Sequence, residues 1–551
     1  MSKRVSRRAF LAGASAVTAA SLWRPRPAGA ASASRAGLGH ILVPTAGRWS
    51  DPDPAALAAL AVEAAMAAGA RYADARLSLV RSEVWGDPYP TTPGGEAELH
   101  GVGVRALLPN GYWGFFGSAL WATEEMARLG RGAVAQAKSN ALGRTREVSL
   151  GTIPRVENGD WTMPVTYDPF TISIAEKSDY MNSVEGAIQQ LSPLVGGGLS
   201  AKFGRAERVF ASSEGSSWRQ TTYLTEGTFA VGYKDEPGDR KYSPAKVMAR
   251  TLSPAGRGWE YICESGLLEQ VPAMLAEAEQ SRDPVAVDIG RYDIVCSAWA
   301  TASLLARTIG TATELDRAMG FEANATGTSY LDDPLAMLGS YSYGTPLLTV
   351  TANRSRPGGA ATVRWDDEGV VPEEFALVRE GTLTDFQTTR EQAAWLAPAY
   401  GKTGRPVRSN GCANGSWDAA CVPLDHPPNL VMAPGGRAAT FDDLVAGTEK
   451  GYAVLSADAV LMDAQQLNGL AMGTIREITR GKLGRLVYSG ALDIRAPELW
   501  KSLDAVGGPG TSESLGVWST KGEPTQNSVF TVEAVPAKFK GVPVIDMMRK
   551  A

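Results

Sequence analysis

Two periodicities organise the chain beyond its first fifty residues. Asp53-Pro54 opens an Ala- and Leu-rich segment that stops at Gly69. Leu57, Leu60, Ala61 and Ala64 fall on one face at helical spacing, with Asp53 as N-cap and Gly69 as the stop. Residues 72–80 alternate apolar and polar with the period of a strand. Further strand patterns, 102–108 and 112–116, flank Pro109-Asn110-Gly111, and Asn-Gly predicts a hairpin closed by a two-residue primed turn. A helix over about 123–139 follows, with Thr123 as N-cap and Glu124 and Glu125 in the first turn, where the helix dipole favours acids.

Residues 173–191 read as a second long helix and 202–232 as a hairpin pair around Ser213-Glu214-Gly215. Residues 235–242 are charged and loop-like. Arg282-Asp283-Pro284, followed by a strand over 291–296, places a boundary near residue 285. Short strands and Gly-containing turns dominate from there to the last strand-like piece, 541–544, and no solenoid repeat is present. The fold class is therefore α+β. An N-terminal mixed α/β domain (40–150) and a middle domain (151–285) precede a β-rich C-terminal domain (286–551).

Charge changes the picture at the N-terminus. Residues 1–30 hold Lys3, Arg4, Arg7, Arg8, Arg24 and Arg26 and no acid, so without them the formal net charge moves from −5 to −11. Arg7-Arg8, an Ala-rich apolar stretch over 9–23 and the small-x-small run Ala28-Gly29-Ala30 come in the order of a twin-arginine export signal; a basic tail is the other reading. This predicts a periplasmic or extracellular protein. An acidic mature chain offers no electrostatic footprint for nucleic acid, and no later stretch is long and apolar enough to span a bilayer.

Candidate chemistry is sparse. The chain has three histidines, His40, His100 and His426, too scattered for an HxxxH or HExxH pair. Its four cysteines include Cys412 and Cys421, which flank a short loop and form either a local disulfide or two thiols. Gly101-x-Gly103-x-x-Ala106 precedes a hairpin and not a helix, so it is no dinucleotide loop. Asp366, Asp367 and Glu368, like Asp332 and Asp333, could attract a cation, but solvated turns are the expected reading.

Several segments resemble the TldD/PmbA (modulator of gyrase) metallopeptidase family in that family's order. They are residues 70–76, ARYADAR; 101–105, GVGVR; 110–117, NGYWGFFG; 304–330, LLARTIGTATELDRAMGFEANATGTSY; 365–369, WDDEG; and 501–507, KSLDAVG. In the active branch, the stretch matching 304–316 carries HExxxH. Two histidines and a distant cysteine hold zinc there, and the glutamate is the general base. Histidines five apart stand about 140° apart on an ideal helix, so the helix must loosen around Gly310 for both to reach one ion.

At these positions the chain departs from the family. Ala306 stands for the first histidine, Arg307 for the glutamate, Thr311 for the second histidine and Trp518, on ungapped alignment, for the cysteine. The guanidinium cannot accept a proton, and its charge opposes a metal cation. No metal or cofactor is expected in this chain, and zinc would reside in a partner. Gly310, Glu314 and Asp316 still resemble the family. Arg307, Glu314 and Asp316 could line a peptide cleft, or an Arg307–Glu314 salt bridge could replace the metal as structural filler, which is the favoured reading.

The resemblance implies a non-catalytic, TldE/PmbA-like subunit that pairs with an HExxxH-bearing, TldD-like chain and handles unfolded or short peptides. A homodimeric peptide-binding scaffold and a hydrolase with a rebuilt, metal-independent site are the alternatives.

Overall fold

The computed structural model describes residues 53–86, 95–142, 148–234, 242–281, 283–414, 417 and 420–548. The twin-arginine segment, His40 and most of the charged stretch 235–242 lie outside them.

Helix α1 (Pro54–Ala67) begins where Asp53 Oδ1 accepts from the Ala55 N–H at 3.2 Å, and Gly69 follows its end at φ +105°. Its buried stripe is Leu57, Ala58, Ala61, Val62 and Ala65, while Leu60 and Ala64 sit half-buried at the margin. Among the described residues, seven strands form the first sheet. These are β1 (Tyr72–Trp85), β2 (Gly95–Leu107), β3 (Trp113–Ser118), β4 (Gly159–Thr162), β5 (Val195–Ser212), β6 (Ser217–Lys234) and β7 (Tyr242–Ala255). Their order is β3-β2-β1-β5-β6-β4, with β7 also on β6. Strands from residues 40–150 and 151–285 thus share one sheet, joined by β1 and β5 from Asp74↔Ser212 to Trp85↔Ala201.

The β2–β3 hairpin is present, but its turn differs from the expected one. The Gly111 N–H donates to Leu108 O, the Leu108 N–H donates to Tyr112 O, and of Asn110 and Gly111 only Gly111 is left-handed, at φ +85°. This is a turn ending in a glycine bulge, which spares Asn110 the positive φ that a primed turn requires. Helix α2 (Thr123–Asn140) takes Ala122 as its N-cap and has no side-chain cap, so Thr123 is its first helical residue. A Cβ on Gly130 would come within 2.5 Å of Ala61 O, and one on Gly114 within 2.0 Å of Ala133 O. Glycine at these two places lets α2 lie against α1 and β3. Helix α3 (Ile174–Gln189) starts with a full capping box between Ser173 and Glu176, and packs with α4 (Leu267–Gln280) around Val184, Ile188, Phe203, Phe229 and Met274.

Strand β1 is buried on both faces over its first nine residues. The polar half of its alternation, Asp74, Arg76 and Ser78, therefore packs against protein and not water.

The later strands build two further sheets. In one, β9 (Gly290–Cys296), β16 (Lys450–Leu461), β17 (Asn468–Thr479), β19 (Gly490–Arg495) and β23 (Ala537–Asp546) pair as β16-β9-β23-β19-β17. Because β16 also pairs β17, these five close into a ring. Strands β8 (Val285–Ala286), β18 (Lys482–Tyr488) and β20 (Leu503–Val506) extend it. In the other, β10 (Val350–Ala352), β11 (Phe375–Arg379), β12 (Thr382–Leu383), β15 (Leu430–Met432), β21 (Glu513–Lys521) and β22 (Gln526–Ala534) run in the order β12-β11-β10-β15-β22-β21. Strands β13 (Ala413–Asn414) and β14 (Leu424–Asp425) make a small ladder. Helix α5 (Ala298–Leu305) shares one apolar core with both large sheets, through Leu304, Leu305, Ile494, Val517 and Phe530. Among the described residues no helix is long and apolar enough to cross a membrane.

Candidate functional site

Helix α5 is capped by Ser297, whose Oγ accepts from the Ala300 N–H at 3.1 Å, and it runs directly into a π-helical turn, Ala306–Gly310. The Thr311 N–H donates to Ala306 O at 3.2 Å, the i to i+5 bond that brings those two positions onto one side. This is the loosening expected near Gly310. Surrounding groups fix it: Thr308 Oγ1 donates to Leu304 O, Tyr330 donates to Thr308 O at 2.6 Å, and Trp500 Nε1 donates to Thr308 Oγ1 at 2.8 Å.

Ala306, Arg307 and Thr311 therefore share one turn, as the alignment implied. Ala306 is wholly buried, and Thr311 Oγ1 lies 2.8 Å from both Arg307 O and Gln466 Oε1, either of which can accept its one proton. Trp518 does not join them. On β21 the odd positions Leu515, Val517, Ser519 and Lys521 are buried, whereas Trp518 points to the opposite face and its Nε1 donates to Glu226 Oε2 at 2.9 Å. Strand parity means that a ligand from β21 would have to stand at an odd position.

The expected Arg307–Glu314 bridge is absent as well. Glu314 Oε2 accepts from Arg317 Nε at 2.7 Å and lies 3.4 Å from Lys521 Nζ, which itself donates to Asp316 Oδ1 at 2.6 Å and to Asp425 O. Glu314, Arg317 and Lys521 are each at most 1% exposed and Asp316 6%, so neither acid lines an open cleft. Asp425 Oδ2 accepts from the Leu315 N–H at 3.0 Å. Burial alone would lower the Lys521 ammonium, but Asp316, Glu314 and Asp425 outweigh it and hold it above its ordinary value. The same burial raises Asp316 and Asp425, against the pull of Lys521.

Lys521, Arg317 and Asp425 were missed in the sequence. Only the Glu314–Arg317 spacing of three, which places both on one helical face, could have signalled part of this cluster.

A second buried polar node joins three of the motif segments. Arg105, of GVGVR, pairs with Asp74, of ARYADAR, and with Glu368, of WDDEG, at 3.0 Å. Arg76 pairs with Asp367 at 3.3 Å, and the Arg390 N–H donates to Glu368 Oε2 at 2.7 Å. Asp366 Oδ1 accepts from the Glu368 and Val370 N–H groups, and burial, helped by nearby Glu368, pushes its carboxyl up to about 8. Asp366, Asp367 and Glu368 are thus no solvated turn: each is at most 3% exposed, and Arg76 and Arg105 pair with Asp367 and Glu368. Asp332 and Asp333 are exposed, and Asp333 caps a helical turn through the Ala336 N–H.

Cys412 and Cys421 carry no bridge. Cys412 is buried behind a backbone bond from the His426 N–H to its carbonyl, while the Cys421 carbonyl is turned to Arg76. His426 is buried, with Nδ1 2.8 Å from Ser528 Oγ, and desolvation keeps it neutral; His100 lies on β2 beside Glu98.

The family's zinc does not fit these residues. A methyl, a guanidinium and a hydroxyl occupy the turn, and the family-like acids Glu314 and Asp316 are already committed to Arg317 and Lys521. Among the described residues no three His, Cys, Asp or Glu side chains are grouped as metal ligands would be.

The π turn thus stands between a closed strand ring and a second sheet of an α+β scaffold. Residues 289–523 match the PmbA/TldA metallopeptidase C-terminal domain. A metalloprotease of Methanocaldococcus jannaschii is 24% identical over 364 residues, 64% of this chain and 70% of that protein. Among solved structures, TldE from Thermococcus kodakarensis superposes with a TM-score of 0.65 at 14% identity, over 88% of this chain and 98% of that one. A protein from Bacteroides thetaiotaomicron titled a modulator of DNA gyrase gives 0.63 at 14% identity, over 89% and 98%. Together these matches support the TldD/PmbA family for this chain, through its C-terminal domain and its fold.

Proposed function

We propose that this chain is the non-catalytic, TldE-like subunit of an exported zinc peptidase that acts on unfolded or short peptides. A related subunit bearing HExxxH supplies the metal and the general base. The observation that carries this reading is the composition of the π turn. The geometry that would bring positions 306 and 311 to one ion is kept, while the side chains there are Ala306 and Thr311, with Arg307 between them. A turn held in place by Trp500 and Tyr330 suits a subunit that keeps the fold and leaves the chemistry to its partner. Export rests on Arg7-Arg8, the apolar stretch after them and Ala28-Gly29-Ala30.

The test is co-expression of the mature chain with a related HExxxH-bearing chain encoded beside it. The reading expects the two to co-purify and to cleave unfolded peptide only together, with all activity lost when the partner's glutamate is replaced. A homodimer that ignores the partner would contradict it.

A further inference from the structure

Across residues 300–318, every residue except Arg307 is buried. Arg307 is therefore the one residue of this run that keeps part of its surface open. Its expected counter-ion, Glu314, is taken by Arg317 and Lys521. Among the described residues no side chain forms an ion pair or hydrogen bond with the Arg307 guanidinium; Asp458 acts on it only at longer range, against the desolvation that lowers its pKa. A largely enclosed cation without a partner is costly to keep, and a carboxylate meeting its forked donors would relieve that cost.

The surroundings suit an extended peptide. Strand β16 lies against the helix that leads into the turn, where the Ala459 N–H donates to Ser303 Oγ at 3.2 Å. On the outward side of that strand, Asp458 is followed by Val460, 43% exposed, and just beyond it Met462 is 51% exposed. At the other edge Gln466, held at φ +53°, places its amide on Thr311. One guanidinium beside Asp458 favours a single negative charge over a phosphate dianion, and the apolar side chains offer a shelf for the residues next to it.

We infer that Arg307 is a receptor for the carboxylate of an extended peptide, lying along Val460 and Met462. This rests on the subunit reading above and deepens it: the position that would hold a general base instead grips substrate. The carboxylate is either the chain terminus or an Asp or Glu side chain.

The test is fluorescence anisotropy of the purified mature chain with three labelled octapeptides of one apolar sequence: free acid, C-terminal amide, and amide with one internal aspartate. The wild type is expected to bind at least one carboxylate-bearing peptide roughly tenfold tighter than the plain amide. The free-acid and aspartate arms identify which carboxylate is read. Arg307→Met should abolish the preference without lowering the melting temperature, Arg307→Lys should keep part of it, and Asp458→Asn should strengthen it. Equal binding of all three peptides by the wild type, or a preference that survives Arg307→Met, overturns the inference. Such a failure beside an intact, partner-dependent peptidase would leave the subunit reading standing.

Discussion

Lys521 Nζ lies 2.6 Å from Asp316 Oδ1, and no solvent reaches the ammonium. It joins the last residue of β21 to the segment just after the π turn and compensates Glu314 and Asp425 at the same time. Lys521→Met would remove one charge and leave three buried acids with Arg317 alone. The expected loss is on the order of 3–5 kcal/mol, since an uncompensated buried charge costs more than the pair contributes. Chemical denaturation measures it, and a loss well under 1 kcal/mol would show the cluster to be solvated.

The second node makes a separable prediction. Arg105 bridges Asp74 on β1 and Glu368 in the loop that follows residue 365, 263 positions away in sequence. Arg105→Leu and Glu368→Gln should each destabilise, and the double variant should recover part of the sum. A coupling of roughly 0.5–3 kcal/mol is expected from a double-mutant cycle for residues in direct contact. Strict additivity would mean that the contact contributes nothing.

Asp366 sets a pH dependence. Its carboxyl rises from 3.8 to about 8 because burial and Glu368 both disfavour its charge. The folded chain thus holds a proton that the unfolded chain has lost, so this contribution is complete below about pH 4 and fades as pH rises toward 8. Asp316, Asp385 and Asp425 are raised for the same first cause and act in the same direction. Asp366→Asn should flatten the fall in melting temperature between pH 5 and 8, and an unchanged slope would contradict the assignment.

The π turn should depend on Thr308. Thr308→Val deletes the acceptor for Trp500 Nε1, a side chain with no exposed surface, and would cost about 1–3 kcal/mol for the stranded donor. Denaturant midpoints read this directly, and a midpoint within error of the wild type would mean that the indole finds another partner.

Local signals in the sequence carried over where the chain obeys its own periodicity. The Asp53 cap and the helix that starts after Ser173 are in place, and the long hairpin turns at Gly215. They failed where the contact is distant. Alternation in β1 was legible, but nothing local says that Arg76 meets a loop nearly 300 residues later. An acid run such as Asp366-Asp367-Glu368 reads as solvent-facing until Arg76 and Arg105 arrive. Trp518 was one strand position off the inward face, an error that a period of two turns into the opposite side of the sheet. Arg307 was given the wrong partner because Arg317, one helical turn from Glu314, was already placed to take it.

The central claim is that the turn carrying Ala306, Arg307 and Thr311 holds no catalytic zinc. The most direct measurement is elemental analysis of the purified mature chain after zinc loading and desalting, run beside an assay of peptide cleavage by that chain alone. The account predicts far less than one zinc per chain and no cleavage that EDTA removes. One tightly held zinc per chain, with EDTA-sensitive cleavage in the absence of any partner, would contradict it.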